Sequence, residues 1–457
     1  MGEFSDLSQL AQEWIERGRS LVGSQVELEI YLQDQRGLTV RIFSSEVEGL
    51  RYAHHYGVGI RAISEGRLGY AYSTGLEWEQ VEKAVQEAAA NARYSGADEN
   101  NILPEAADYT RRELGIYDAE AGETTSEDKV EMALELEGLT LSSDPRISRV
   151  ESAVYADAVS RVAVANTAGV VGSYRSTDCY CYVFPIAQEG EESQTGFSYD
   201  IGVKPSDLDL GRVAEEASER ALCLLGSRSI PSRRSTLILD SFVAAEFLGL
   251  LASALSAEAV LKGRSFLAGK VGETVASSMI SLIDDGLLPG APGTAPFDDE
   301  GVPTRRKELI SEGILQGYLH NTYTASRSGT RSTGNASRGT FRDRPQVGAS
   351  NMFVQPGSGT REDIMREVDE GVLILQVVGA HAGANPVSGE ISLGALGLSV
   401  KGGEPDQPLR EITLAGKALD FLKNTVALGE DLRFLPFQGS LGAPTVAIED
   451  VMISGRG

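Results

Sequence analysis

The feature that most constrains this chain is the run from residue 144 to 204. Apolar and polar residues alternate there through SRVESAVYADAVSRVAVANTAGVVGSYRSTDCYCYVFPIAQ. A period of two puts every second side chain on the same face of a strand, so the segment predicts long strands in a sheet. Earlier runs, QVELEIYLQ, GLTVRIFSSEVEGL, HYGVGIRAIS and RLGYAYS, are separated by Gly, Gln-Arg and Ser-Glu-Gly punctuation and predict an antiparallel meander. Between these runs the period returns to 3.6. Residues 5–22 place Leu7, Leu10, Ala11, Trp14 and Ile15 at helical spacing behind Ser5 as N-cap, and 75–94, 126–142 and 206–226 read as further helices. From about residue 235 the pattern is one strong helix at 240–262 followed by short strands punctuated by glycine. Strands grouped together, with the helices segregated from them, define an α+β class. Two domains are expected: residues 1–228 with mixed α/β layers, and 232–457, mostly antiparallel β with a long helix, joined by the linker-like SRSIPSRR around Pro231.

Charge narrows the range of partners. The 41 Lys+Arg against 66 Asp+Glu give a net charge of −25. That charge repels phosphate backbones and argues against nucleic acid. No run of 18 apolar residues occurs, which argues against a membrane span, and the start MGEFSDLSQLAQEWIERG has no basic n-region or apolar h-region. A cytoplasmic location is the expectation. Three cysteines, Cys179, Cys181 and Cys223, lack metal or redox spacing. The first two alternate along TDCYCYVF and should share one strand face as buried or half-buried thiols.

Several motifs fail on their context. Gly57, Gly59 and Ala62 match a loose dinucleotide-binding pattern, yet no helix period follows to hold a pyrophosphate. Ser126 and Lys129 match S-x-x-K, but Thr124 and Glu127 fit a capping box, so a helix start explains them. The four histidines, His54, His55, His320 and His381, form no two-histidine helix motif, so each reads as a solvated or locally hydrogen-bonded ring. The clusters Asp284-Asp285 and Asp298-Asp299-Glu300 lack the EF-hand ladder and end in glycine, which turn chemistry explains; pairing with Arg305 or Arg306 is the next reading.

Three blocks carry a resemblance. SALSAEAVLKGRSFLAGKVGE continues through VASSMISLIDDGLLPGAPGTAPFDDEGVPTRRKELISEGILQGYLHNTYTASRSGTRSTGNASRG, EGLRYAHHYGVGIRAISEGRLGYAYST precedes it, and GANPVSGEISLGALGLSVKGGEPDQPLREITLAGKALDFLKNTVALGEDL follows. In that order, over nearly the whole chain, they resemble the TldD/PmbA family, the modulator of DNA gyrase family, which includes peptidases of peptide maturation. The family's TldD-like branch carries H-E-x-x-x-H on a helix and a later cysteine, which together hold zinc. The equivalent helix here, DSFVAAEFLGLLASALSAEAVLKG, has Glu246 and no histidine, and no cysteine follows Cys223. Glu246 reads as a helix-start acid. The chain therefore resembles the PmbA/TldE-like branch without the metal motif.

That resemblance implies no cofactor and no catalytic or metal residue in this chain, with zinc held by a TldD-like homologue in a heterodimer that acts on unfolded or precursor peptides. On the residues themselves, the glycine-rich segments STGNASRG and GANPVSGEISLGALG could approach an extended peptide closely. They nominate Ser332, Thr333, Gly334, Asn335, Asn385 and Gly389 as peptide-channel residues, with tight hairpins as the other explanation of the same composition. The stripe Phe242, Leu248, Leu251 and Leu255 is either core packing or a partner interface. A homodimeric peptide-binding or scaffold protein without hydrolysis is the alternative, and a metal enzyme built on Asp298, Asp299 and Glu300 a third reading.

Overall fold

The structure, a computed structural model, describes residues 7–379, 383–435 and 440–455; His381 lies outside them. Residues 27–202 form one seven-stranded sheet in which every pairing is antiparallel. Its order is Arg67–Ser73, Glu46–Ser64, Glu27–Phe43, Ile147–Asn166, Val171–Glu189 and Glu192–Thr195, with Ser198–Gly202 also on the fifth strand. Four of these strands run 17 to 20 residues, with register shifts only near their ends, at Arg41/Ile42, Ile147/Arg149 and Val150/Ser152.

Each face of this sheet has its own cover. Leu28, Ile30, Leu32, Val58 and Ile60 pack under the helices Leu7–Val22 and Trp78–Ala92. Farther along, Leu38, Val40, Tyr155, Cys179 and Cys181 pack under Ser126–Ser142 and Leu210–Leu222. Along the first strand the covered positions are all even-numbered, so all four helices lie on one face. The odd-numbered positions, Glu29, Tyr31 and Gln33, face the second half of the chain. Cys179 and Cys181 share the helix side, and burial raises both thiols.

The helix Ser126–Ser142 has a capping box one residue later than the sequence suggests. Thr125, not Thr124, accepts from the Asp128 amide, and Asp128, not Glu127, reaches back to it. Gly57 and Gly59 lie inside the second strand, so no helix start follows them.

The second half holds two six-stranded sheets. In one, Glu404–Lys417, Glu390–Lys401, Glu370–Val378, Arg233–Leu239 and Val446–Ser454 pair in succession, and the last pairs back to the first through Thr413–Ala415, closing a barrel-like ring; Thr425–Leu428 is added beside it. The other orders Ile314–Leu315, Arg306–Ser311, Leu282–Asp285, Asn351–Val354, Ser440–Ala443 and Arg433–Phe434. Each contains one parallel pairing among antiparallel ones, so this half is mostly antiparallel β, as expected.

The expected long helix ends at Ser256, whose extended backbone separates Ser241–Leu255 from a short turn, Ala257–Leu261. Ser241–Leu255 packs against strands of both sheets, and its apolar residues join their shared core. Leu248, Leu251 and Leu255 are therefore inside this chain, and the Phe242 ring packs at a tilt against Phe197 and Tyr199. The stripe read as a possible partner interface is spent on intramolecular packing. The linker-like Arg228 segment is pinned as well, through Arg228 N to Pro408 O and Arg410 N to Arg228 O, each at 3.0 Å.

Candidate substrate cleft at the seam between the halves

Where the helix-free face of the first sheet meets the second half, the contact begins with a cross-strand pair. Glu29 and Arg61 are register partners, and the Arg61 guanidinium bonds the Glu29 carboxylate. Two residues from far along the chain complete the group. Arg338 bonds the other Glu29 oxygen, and Arg61 Nη1 donates to Glu300 Oε1 at 2.6 Å. Glu300 also accepts from the Thr322 amide at 2.8 Å. Burial works to raise the Glu300 carboxyl, but Arg61 and Thr322 outweigh it and hold the group below its usual value.

Gly57 and Gly59 permit this close approach. A Cβ on Gly57 would lie 2.4 Å from the Phe341 ring, and one on Gly59 would lie 2.2 Å from the Tyr70 hydroxyl. Phe341 then joins Tyr31, Val162, Val164 and Phe297 in an apolar cluster that seals this end of the seam.

The triad Asp298-Asp299-Glu300 is consumed in the same contact. Asp298 accepts from the amides of Glu300, Val302 and Ala336, and Asp299 accepts from the Arg338 amide at 2.7 Å. These bonds, together with the Glu300 pair, use the carboxylates as loop staples, against the metal-enzyme reading. Asp284 is likewise held, by Lys307 at 2.8 Å, the Ser350 amide at 2.7 Å and Asn335 at 2.8 Å, and not by Arg305 or Arg306.

Beyond this network the halves separate into a cleft of about 450 Å³. One wall is the fifth strand, with Tyr174, Ser176, Asp178 and Tyr180 facing in at alternate positions. The facing wall comes from the 290–295 loop, Gly334 to Ser337, Gly348 to Ser350, and Ser440. Of the six peptide-channel candidates, Gly334 and Asn335 line the cleft. Gly334 has φ +72° and sits against Pro303, a position that a side chain would strain. Asn335 is fixed by Asp284 and by the Gly348 carbonyl.

Ser332 and Thr333 instead turn their hydroxyls to the His320 carbonyl. Asn385 and Gly389 are elsewhere, in a turn where Asn385 Oδ1 accepts from the Val387 amide and Gly389 packs on Phe266. The hairpin explanation therefore fits the second glycine segment. His320 is buried, its Nδ1 has no partner, and burial lowers its pKa. His54 Nε2 lies 2.7 Å from Asp34.

Asp178 is the residue that sequence reasoning missed. Water reaches it in the cleft, yet protein surrounds it, and this desolvation together with the Asp157 charge pushes its carboxyl up to about 6. The signal was its inward phase on an otherwise well-read strand. Glu246 also differs from expectation. Asp240 caps the helix, accepting from Phe242 N at 3.1 Å, while Glu246 lies in the second turn, where burial raises its carboxyl to about 7.

A long-stranded sheet with helices on one face and a barrel-and-sheet half on the other, joined across a buried ion network and a polar cleft, defines an α+β protein built in two halves. Family models for the PmbA/TldA metallopeptidase match it throughout: domain 1 over residues 28–92, the central domain over 120–225 and the C-terminal domain over 232–455. The chain belongs to the PmbA/TldD metallopeptidase family. It is 26% identical over 435 residues to Metalloprotease PmbA of Escherichia coli O157:H7, covering 94% of this chain and 92% of the relative. A Metalloprotease TldD homolog of Buchnera aphidicola is 22% identical, covering 93% and 92%. The crystal structure of TldE from Thermococcus kodakarensis superposes with a TM-score of 0.89 at 26% identity, covering 98% of this chain and 100% of that one.

A family of metallopeptidases implies a metal, and the donors among the described residues do not fit one. Among the described residues no three His, Cys, Asp or Glu side chains converge as a metal-holding group. The Ser241–Leu255 helix offers Glu246 alone as a charged donor. No helix among the described residues is long and apolar enough to cross a membrane.

Proposed function

We propose that this chain is the metal-free subunit of a heterodimeric TldD/TldE-type zinc peptidase of the cytoplasm, and that it shapes the passage through which unfolded or precursor peptides reach a zinc ion held by its homologue. The observation that carries this reading is the donor set of the Ser241–Leu255 helix: one carboxyl and no histidine or thiol, within a chain that otherwise keeps the family's domains from end to end. A carboxyl without a metal to polarise water lacks its chemical partner, so the hydrolytic centre is assigned to the homologue.

An assembly also needs surface, and the apolar stripe of that helix is buried. The first two strands offer some instead. Glu46–Ser64 pairs with Arg67–Ser73 only from Val58 onward, leaving an open edge beside Leu50, 55% exposed, and Tyr52, 66% exposed. An open edge with large apolar side chains is a site for pairing with another chain.

The test is co-expression with the TldD-like homologue of the same host, followed by purification on a tag on this chain, metal analysis and peptidase assay. The expected result is a one-to-one complex with zinc in the homologue and activity only in the complex. Leu50→Asp with Tyr52→Asp should weaken the association. A symmetric dimer of this chain that ignores the homologue would replace this reading with the homodimeric scaffold. A lone chain that holds about one zinc and cleaves peptides would overturn both.

A further inference from the structure

The second half contains an apolar cavity that the proposed function leaves unused. Its volume is about 70 Å³, and it lies where the helix Ser241–Leu255, the short helix Ala418–Lys423 and the strand Ser440–Ala443 meet. Each of these elements presents an alanine there, Ala244, Ala418 and Ala443, and the three short side chains leave the space open. The walls belong to the core of this half, while Phe247, Leu250 and Leu422 stand half-buried at the mouth.

Nothing in the lining favours water. Among the described residues it has no charged side chain, and its one polar side chain, Thr425, donates its hydroxyl to the Phe421 carbonyl at 3.0 Å. A water held in such a space needs about two to four polar partners, and no lining side chain has one to spare. A dry void also forfeits dispersion contacts along its walls, so an apolar group that fits gains what the empty cavity lacks.

We propose that this cavity binds one neutral apolar group the size of a branched aliphatic side chain, and that the group is a leucine-like residue of an extended peptide. The cavity as a site stands on the geometry; its assignment to a peptide rests on the proposed peptidase function. Size sets the group, because an apolar cavity of about 150 Å³ holds benzene and this one, at about 70 Å³, has roughly half that room. Breadth sets the occupant. A subunit interface buries about 800 Å² per partner, yet no residue lining the cavity is among the strongly exposed apolar residues of the described surface, so the mouth has no wide apolar surround for a folded partner. A single side chain reaching in from a narrow chain needs none. Such a pocket would give a passage otherwise indifferent to sequence a preference for peptides that carry an aliphatic residue.

The experiment measures binding of the full-length chain to decapeptides labelled at the carboxyl end, by fluorescence anisotropy, in a Gly-Ser sequence with either leucine or serine at the centre. The leucine peptide should bind about tenfold more tightly, the lower end of what burying one aliphatic side chain is worth. Xenon, which needs only an apolar cavity, serves as the small probe; xenon NMR should show a bound signal, and xenon under pressure should compete with the leucine peptide. Ala244→Val, which fills the cavity, should remove both the xenon signal and the leucine preference with the fold intact by circular dichroism. The unaltered chain gives the peptide and xenon readouts by itself, so the test does not depend on that variant folding.

Equal affinity for the two peptides overturns the assignment to a peptide, and absence of a bound xenon signal overturns the cavity as a site. A leucine preference that survives in Ala244→Val, or that xenon does not reduce, places the leucine elsewhere and overturns the proposal as well. The lone chain gives each of these readouts, so a result here is separable from failure of the heterodimer, which the co-purification reads.

Discussion

The two ends of the seam between the halves of this protein use carboxylates in opposite ways. At one end Glu29 and Glu300 are buried against Arg61 and Arg338, with each acid meeting at least one guanidinium, and an aromatic cluster excludes water. At the other end Asp178 stands in a cleft among hydroxyls and backbone with no cation in the described lining. Both arrangements lie on the helix-free face of the same sheet. The difference teaches which end is structural. A neutralised buried cluster fixes how the halves meet, whereas a charge left without a partner at the rim of a cavity costs stability and is retained where something else binds.

The strongest way to break this contrast is to remove one arginine from the network. Arg61→Met leaves both Glu29 and Glu300 short of a buried partner, and such losses cost about 3–5 kcal/mol. Urea denaturation at pH 7 should show that loss. A change under about 1 kcal/mol would mean that water enters the seam, and that its two ends are alike after all.

How far this contrast was legible in the sequence follows from where each cover comes from. The helix face was readable because its residues, Leu28, Ile30, Leu32, Cys179 and Cys181, alternate locally and are covered by helices with their own 3.6 period. The opposite face was not. Glu29 and Arg61 look like a solvated cross-strand pair, because the residues that bury them, Glu300 and Arg338, lie more than two hundred positions away and no local pattern announces them. Two signals were present: Gly57 and Gly59 in the middle of a strand imply close backbone approach, and Tyr31 between two polar positions implies a half-covered face. The apolar helix was seen correctly as a helix and read incompletely. Val243, Leu248, Leu251 and Leu255 turn the apolar stripe of Ser241–Leu255 into the core between two sheets, while Glu246, Gly249, Leu250 and Ser253 on the other side stay partly exposed.

A second acid outside the seam sharpens the comparison. Glu246 is raised from its ordinary value of 4.5 to about 7 by burial, with no charge to offset it. Its folded pKa exceeds its unfolded one, so the penalty is absent below pH 4.5, grows between 4.5 and 7, and is complete above 7. Glu246→Gln should therefore stabilise the isolated chain by about 2–3 kcal/mol at pH 8 and by little at pH 4, as read by paired denaturation curves. A gain that is equal at both pH values would show that the effect is packing and not ionisation.

A neutral contact at the closed end should matter less than its charges. The Tyr70 hydroxyl lies 2.7 Å from the Phe341 carbonyl and 2.9 Å from that of Asp343, clipping the Arg338 loop to the first half. Tyr70→Phe should cost about 0.5–1.5 kcal/mol, and its combination with Arg61→Met should be non-additive because both hold the same loop. Strict additivity would separate the loop from the ion network.

The smallest expected effect is the one that tests the open end. Asp178 is raised from 3.8 to about 6 by desolvation and by Asp157, so ionising it disfavours the folded state increasingly from pH 3.8 to 6 and by a constant amount above that. Water reaches the side chain, and with that screening the penalty at pH 8 is about 1 kcal/mol or less. Asp178→Asn should accordingly leave stability unchanged at pH 3 and raise it slightly at pH 8, the opposite sign to Arg61→Met at the other end. A clear loss of stability at pH 8 would reveal a structural partner for this carboxylate and make the open end a second clamp. A slight gain at pH 8 and none at pH 3 would mean that this carboxylate costs the folded protein stability only when ionised.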